Sequence, residues 1–234
     1  MFRWHVILLL LAALNGCSRS VELESVPVPG GLYECGSGEA MGNPPHRVAV
    51  PPLRIHATEV TVGMYERYLN AVDPDDWSSP DFVREAGGGW RAGVDLELPV
   101  AWVSVSNVLS FCAWYSVEQG MIWRLPTPDE WEIAARGGIR GARYPWGWGA
   151  PVGRACFGMA GPGPVGGYPP NPLGLFDLAG NVSEWAVDTS GQAWILGGSW
   201  VDQDPELLRV DARVGQDEAY RGPDVGFRLV TEIP

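Results

Sequence analysis

Residues 171–185 read NPLGLFDLAGNVSEW, residues 196–200 read LGGSW, and residues 226–229 read GFRL. Two Trp-ended, glycine-studded motifs and a closing Gly-Phe-Arg follow one another in that order. Between them lie short apolar runs at 193–196, 208–212 and 225–230, each bounded by turn residues, which predicts short strands rather than long ones. No cysteine follows Cys156, so this C-terminal third has no thiol to offer a metal or a substrate.

Working back toward the N-terminus, the clearest helix start is Thr127-Pro128-Asp129-Glu130. Thr127 and Glu130 have capping-box spacing, and Pro128 sits where a missing N–H costs nothing. Trp131, Ala134 and Ala135 then form one face, and Gly137-Gly138 ends the helix. Ser104 or Ser106 can cap a second helix, whose apolar face carries Val108, Phe111, Cys112 and Tyr115 and which Gly120 stops. Val62, Tyr65, Leu69 and Val72 predict a third helix over 61–72, closed by Pro74. Residues 47–55 read as a strand broken by Pro51 and Pro52, and residues 98–103 as a short buried strand. The segment 73–99 reads as an acidic, Gly-rich loop, with Asp75 and Asp76 as a solvated turn. With 31 glycines and 21 prolines among 234 residues, regular structure should be sparse. Twelve tryptophans still demand a packed globule. The expected fold class is α+β, with two or three helices beside small antiparallel sheets.

The first sixteen residues carry one charge, Arg3, and a nine-residue apolar run from Val6 to Leu14. That run suits a signal peptide and is too short for a spanning helix. It ends in Leu14-Asn15-Gly16-Cys17, which resembles a bacterial lipobox and implies a lipid on Cys17. The expected organisation is therefore a lipoprotein signal peptide at 1–16, a polar tether at 17–26 and one domain at 27–234. The expected location is the cell envelope, through a lipid anchor at the periplasmic face or outer membrane, with secretion as the alternative. The formal charge is −12 and all sixteen basic residues are arginines, which excludes the basic stripe of a nucleic-acid binder. Cys35, Cys112 and Cys156 are an odd set, so one disulfide plus one free thiol is allowed in an oxidising compartment and the pairing stays open.

Blocks along residues 27–231 resemble the formylglycine-generating enzyme, or sulfatase-modifying factor, family. They include Pro29-Gly30-Gly31-Leu32, His46-Arg47-Val48, Thr58-Glu59-Val60-Thr61, Arg124-Leu125-Pro126-Thr127 and Tyr144-Pro145-Trp146-Gly147. The opening stretch completes them. The resemblance implies a mixed domain of low secondary-structure content related to the C-type lectin fold. It also implies a Ca²⁺ site at Asp177, Gly180, Val182 and Glu184, where two carboxylates and two backbone carbonyls supply hard oxygen ligands. A second calcium site of the family would fall near 156–166, where the acidic ligands are missing. Arg228 is expected to be a buried structural arginine paired to a carboxylate.

The family's oxidases use O₂ and a copper ion held by two cysteines. Those positions here are Asp202 and Leu207, and a soft thiolate pair is what Cu(I) requires. Copper is therefore not expected. Ser199 matches an active-site serine of the family, so Ser199 and Asp202 are the weak catalytic candidates, whereas Ser183 replaces an active-site tryptophan. Other relatives are non-haem iron enzymes with a histidine set; the segment after the leader holds only His46 and His56. The leading expectation is a binding or scaffold module that has lost cysteine oxidation. Its candidate ligand is protein or glycan, stacked on Trp77, Trp90, Trp146 and Trp148. A divergent oxidoreductase and a purely structural lipoprotein are the rivals.

Overall fold

Proline cuts the N-terminal region into paired pieces. In the computed structural model, which describes residues 23–39, 42–74 and 77–233, β1 (Ser25–Val28), β2 (Gly31–Cys35), β3 (His46–Val50) and β4 (Leu53–His56) follow one another. Pro51 and Pro52 break the predicted 47–55 strand into two because proline cannot donate to a ladder. The halves then part company. β3 pairs antiparallel with β2 alone, while β4 is the centre of a three-stranded sheet between β1 and the last strand.

Helix α1 (Val62–Val72) begins at Thr61, whose hydroxyl accepts from the Met64 amide, and ends at Asp73 in a left-handed conformation. The segment after it is not a bare loop. It holds a hairpin of β5 (Phe82–Arg84) and β6 (Trp90–Ala92). Helix α2 (Val105–Gln119) carries a capping box built from Ser104 and Asn107. Helix α3 (Pro128–Arg136) carries the Thr127–Glu130 box and stops at Gly137, φ +58°. The predicted strand at 98–103 is instead extended chain without a ladder, although Val100 and Val103 are fully buried.

In the last third, β7 (Ser183–Val187), β8 (Ala193–Leu196) and β9 (Arg213–Gly215) form an antiparallel ribbon. β10 (Val225–Gly226) joins β7 in parallel, and β11 (Val230–Glu232) returns to β4. The expected strand at 208–212 is replaced by a short 3-10 turn at Pro205–Leu208 with β9 following it. The fold is thus α+β: three helices, a four-stranded, a three-stranded and two two-stranded sheets among the described residues.

Beside a small apolar cluster of Tyr144, Ala155, Ala179 and Leu208, two large ones fill the interior of the described residues. One gathers α1, α2, the β5–β6 hairpin and Phe227; the other gathers β1, β4, α3, Leu175 and Leu178. The hairpin is what seals the first. Trp77 and Trp90 stack edge-on at 5.3 Å inside it, so these two tryptophans are core and not ligand surface. Trp146 is half-buried and stacked on Tyr144, and of the four expected surface tryptophans only Trp148 is open to solvent. The last residues of the expected tether belong to the folded part. Leu23 packs on the first cluster, and Ser25 and Val26 already pair with β4. The expected signal peptide, Cys17, and the Asp75–Asp76 pair lie outside the described residues, within which no helix is long and apolar enough to cross a membrane.

Candidate functional site

The three motifs that open the chain's reading converge on one buried ion pair. Arg228, fully buried, donates from Nε to Glu184 Oε2 at 2.7 Å and from Nη2 to Glu184 Oε1 at 2.6 Å. Its remaining donors reach the carbonyls of His56, Ala57 and Phe176 at 2.8–3.2 Å. All five N–H groups of the guanidinium are therefore used, which is the condition under which a buried arginine is tolerated. The expectation of a structural arginine bound to a carboxylate holds. Glu184 Oε2 accepts a second bond, from Trp131 Nε1 of α3 at 2.7 Å.

Two more carboxylates stand in this pocket. Asp177 is mostly buried, has a positive φ of 53°, and accepts the Gly166 amide at 2.5 Å. Glu59, fully buried, accepts from Asn181 Nδ2 at 3.0 Å through Oε1. Its Oε2 lies 4.0 Å from Arg228 and has no hydrogen-bond partner. Burial, reinforced by Asp177 and Glu184, pushes the Glu59 carboxyl well above the usual carboxylate range. Burial raises that of Asp177 as well. Three carboxylates against one guanidinium would leave two uncompensated negative charges, a state that a proton or a divalent cation relieves.

The turn that assembles this pocket needs its glycine. Gly180 has φ +81°, and a Cβ there would collide with the Cys156 carbonyl. Asn181 follows at φ +60°. Of the four expected calcium positions, Asp177 and Glu184 face a common charge environment. Gly180 and Val182 line the backbone between them. Glu184 is already engaged: Oε2 is filled by two donors, so only Oε1 has a free lone pair for a cation. Glu59 escaped the sequence reading. Its signal was a lone Glu in Thr-Glu-Val-Thr, flanked by β-formers and so placed where burial is expected.

The copper positions tell a different story. Ser199 is fully buried, and both its amide and its hydroxyl donate to Asp202 Oδ2, at 2.7 and 2.9 Å. Asp202 thus closes a turn on Ser199 through both bonds. Leu207 still sits beside Asp202 across Gly198, whose Cβ would lie 3.0 Å from the Leu207 carbonyl and 3.4 Å from Asp202 Oδ2. The residues present do not fit copper: one offers no donor and the other a hard oxygen already bonded.

Among the described residues the three cysteines form no disulfide and the two histidines do not meet. Cys35, Cys112 and Cys156 are unpaired and buried. Burial pushes the Cys35 and Cys112 thiols up to about 12, Cys35 with help from Glu132 and Asp129, so neither is a nucleophile near neutral pH. His46 and His56 do not meet. His56 is fully buried in β4 and packs 4.4 Å from the Trp123 ring, both ring nitrogens without a partner. His46 lies on the β2–β3 ribbon beside Asp129. The two-histidine metal site is therefore not assembled.

Comparison with known proteins places this geometry. A family described as the Sulfatase-modifying factor enzyme 1-like domain matches residues 17–233. The mouse protein named Inactive C-alpha-formylglycine-generating enzyme 2 is 38% identical over 178 residues, covering 66% of this chain and 54% of its own. The Formylglycine-generating enzyme of Thermomonospora curvata is 32% identical over 188 residues, covering 70% and 54%. This chain thus spans about half the length of those relatives. Treponema denticola variable protein 1 shares the fold with a TM-score of 0.74 at 22% identity, over 89% of this chain and 95% of the other.

His56 gives the site a pH signature. Burial, aided by the Arg228 charge, pulls its pKa from 6.5 down to about 3. Below 6.5 the unfolded chain binds a proton that the folded one refuses, so stability falls as pH drops from 6.5 toward 3, by about 1.4 kcal/mol per pH unit from this group. Urea unfolding of the wild type and His56→Phe across that window should show a shallower acid slope in the variant. Parallel slopes would refute the assignment.

Proposed function

This chain belongs to the sulfatase-modifying factor enzyme 1-like family, and from that premise we propose that it is a calcium-stabilised, non-catalytic binding module of the cell envelope. The observation that carries the reading is at Ser199, Asp202 and Leu207. The serine and the surrounding turn persist, while the two positions that would hold copper offer an occupied carboxylate and an alkyl chain. The inactive mouse relative supports the same reading. Its name also shows that kinship to the oxidases does not guarantee oxidase chemistry.

Calcium is the cation the pocket suits. Asp177, Glu184 through Oε1, and the backbone carbonyls of Gly180 and Val182 would hold it, and Glu59 would add charge. Bound there, Ca²⁺ supplies two positive charges to a pocket that otherwise carries a surplus of two negative ones. Its role is structural, because Glu184 is at the same time the anchor of Arg228 and Trp131. Hard oxygen donors favour Ca²⁺ over a transition metal.

The ligand of the module is a protein or a glycan. Trp148 is exposed, and two residues before it the half-buried Trp146 stacks on the buried Tyr144; exposed aromatic rings of this kind stack on sugar or peptide. The lipid on Cys17 would hold the module at the membrane, and the acidic, lysine-free chain argues for no nucleic-acid role.

Three measurements test these parts. Incubated with copper, O₂ and a cysteine-containing sulfatase peptide, the purified protein should consume oxygen at the background rate; copper-dependent conversion of the cysteine to an aldehyde would overturn the non-catalytic reading. Raised carboxyl pKa values mean that stability is lost as pH rises through them. Calcium should therefore raise the melting temperature more near neutrality than at acid pH, by an amount equivalent to about 2.7 kcal/mol at a hundredfold excess over Kd. Asp177→Asn should abolish that gain, and a wild type indifferent to chelator would refute the site. Expressed in bacteria, the wild type should fractionate with membranes and Cys17→Ser with the soluble fraction; identical fractionation would rule out the anchor.

A further inference from the structure

Away from the calcium pocket, three chemically different metal-binding side chains meet on the other side of α3. Cys35 and His46 are cross-strand partners at the end of the β2–β3 ribbon. Asp129 comes from the first turn of α3. Cys35 Sγ, a His46 ring nitrogen and an Asp129 carboxylate oxygen all lie within 4.8 Å of one another. A tetrahedral zinc site with bonds of 2.0–2.3 Å has ligand separations of roughly 3.3–3.8 Å. His46 and Asp129 are part-exposed, with side-chain exposures of 34% and 24%, so small rotations close that difference.

The orientation of His46 is the sharper observation. Nδ1 lies 2.9 Å from the Pro44 carbonyl. A carbonyl can only accept, so Nδ1 carries the hydrogen. In the neutral ring, Nε2 is then a bare lone pair, and it points at Asp129 Oδ1 from 3.1 Å. Two acceptors facing each other need a proton or a cation between them. A histidine fixed by one nitrogen to a backbone carbonyl, with the other aimed at a carboxylate and a buried thiol, has the outer-shell arrangement of a metal ligand. The other acidic side chain of this region is already matched: Glu132 is paired with Arg136 at 2.7 Å and Arg213 at 3.1 Å. Arg213 also donates to Asp129 Oδ1 at 3.0 Å, so that oxygen meets both the guanidinium and His46 Nε2.

We propose that Cys35, His46 and Asp129 form a site for a divalent transition ion of the zinc class, with the fourth position open to the adjoining cleft. A thiolate and an imidazole select such an ion over Ca²⁺, and three protein ligands leave one position for water or an exogenous donor. The metal itself drives the thiol to its thiolate form on binding. Cys35 and His46 both line a cleft of about 890 Å³ whose wall also carries Arg47, Arg136 and Arg140. A small anionic donor is therefore the chemical class that would complete the coordination. Nothing here depends on the calcium reading, since no residue is shared.

Cobalt tests it. Chelator-stripped protein titrated with Co²⁺ should develop a sulfur-to-cobalt charge-transfer band that saturates at one ion per chain. Zn²⁺ should bleach it, and excess Ca²⁺ should not. The band should vanish in Cys35→Ser and persist in Cys112→Ser. Should Cys35→Ser fail to fold, His46→Gln at its part-exposed position serves instead and should weaken Zn²⁺ binding by more than about tenfold. No band in the wild type, a band that survives Cys35→Ser, or unchanged Zn²⁺ affinity in His46→Gln would each overturn the site.

Discussion

The bidentate pair between Arg228 and Glu184 is the constraint around which this domain is arranged. Desolvating two such charges costs several kcal/mol apiece, and only complete hydrogen bonding makes the buried pair tolerable. Completion here draws on distant parts of the chain. The end of β4 gives the carbonyls of His56 and Ala57, the loop before the Gly180 turn gives that of Phe176, and α3 gives the Trp131 indole. Breaking any one of these connections leaves a buried polar group of the pair unsatisfied, so the pair fixes where these three segments must lie. The glycines of the opening motifs follow from that. A Cβ on Gly197 would press to 3.1 Å from the Trp131 ring, and one on Gly226 to 2.5 Å from the Val100 carbonyl. Gly-Gly-Ser-Trp and Gly-Phe-Arg are glycine-rich because the backbone must come close to let the pair form.

This explains why the family's most recognisable residues are tied to the scaffold. Asp177, Gly180, Glu184, Gly197 and Arg228 serve the scaffold, and their loss would unfold it. Asp202 and Leu207 lie at the surface side of Gly198, where no structural duty depends on sulfur. Asp202 even contributes to stability in its own way, by holding the Ser199 turn with two hydrogen bonds.

Local chemistry was legible in the sequence and long-range chemistry was not. The cap at Thr127, the cap at Ser104 (one of two candidates), the stop at Gly137 and the proline break after Val50 each depend on neighbours within a few residues, and each stands where the pattern put it. The β5–β6 hairpin depends instead on side chains of α1. Asn70 clamps both the amide and the carbonyl of Trp90, and Glu66 accepts the Ala92 amide at 2.7 Å. No periodicity in an acidic, glycine-rich segment announces such a clamp, and the same hairpin carries Trp77 and Trp90 into the core. Family resemblance found Asp177 and Glu184; Glu59 came to light only because folding buried its carboxylate beside theirs with one oxygen unpartnered.

Helix α3 shows how two different ion environments can share one short element. It is nine residues long, and all but Asp129 are buried. A helix so enclosed must neutralise its charges internally, and it does. Glu130 binds Arg124 at 2.7 Å while closing the cap at Thr127, and Glu132 takes Arg136 and Arg213. Trp131 points the opposite way, to Glu184. Asp129, part-exposed, accepts from Arg213 at 3.0 Å and faces His46 and Cys35. The donor types then sort the ions: oxygen alone around Asp177, sulfur and imidazole around Asp129. Because Trp131 locks α3 to the Arg228 pair, the position of Asp129 is inherited from the core, and the ribbon carrying Cys35 and His46 has only to pack against a helix that is already placed.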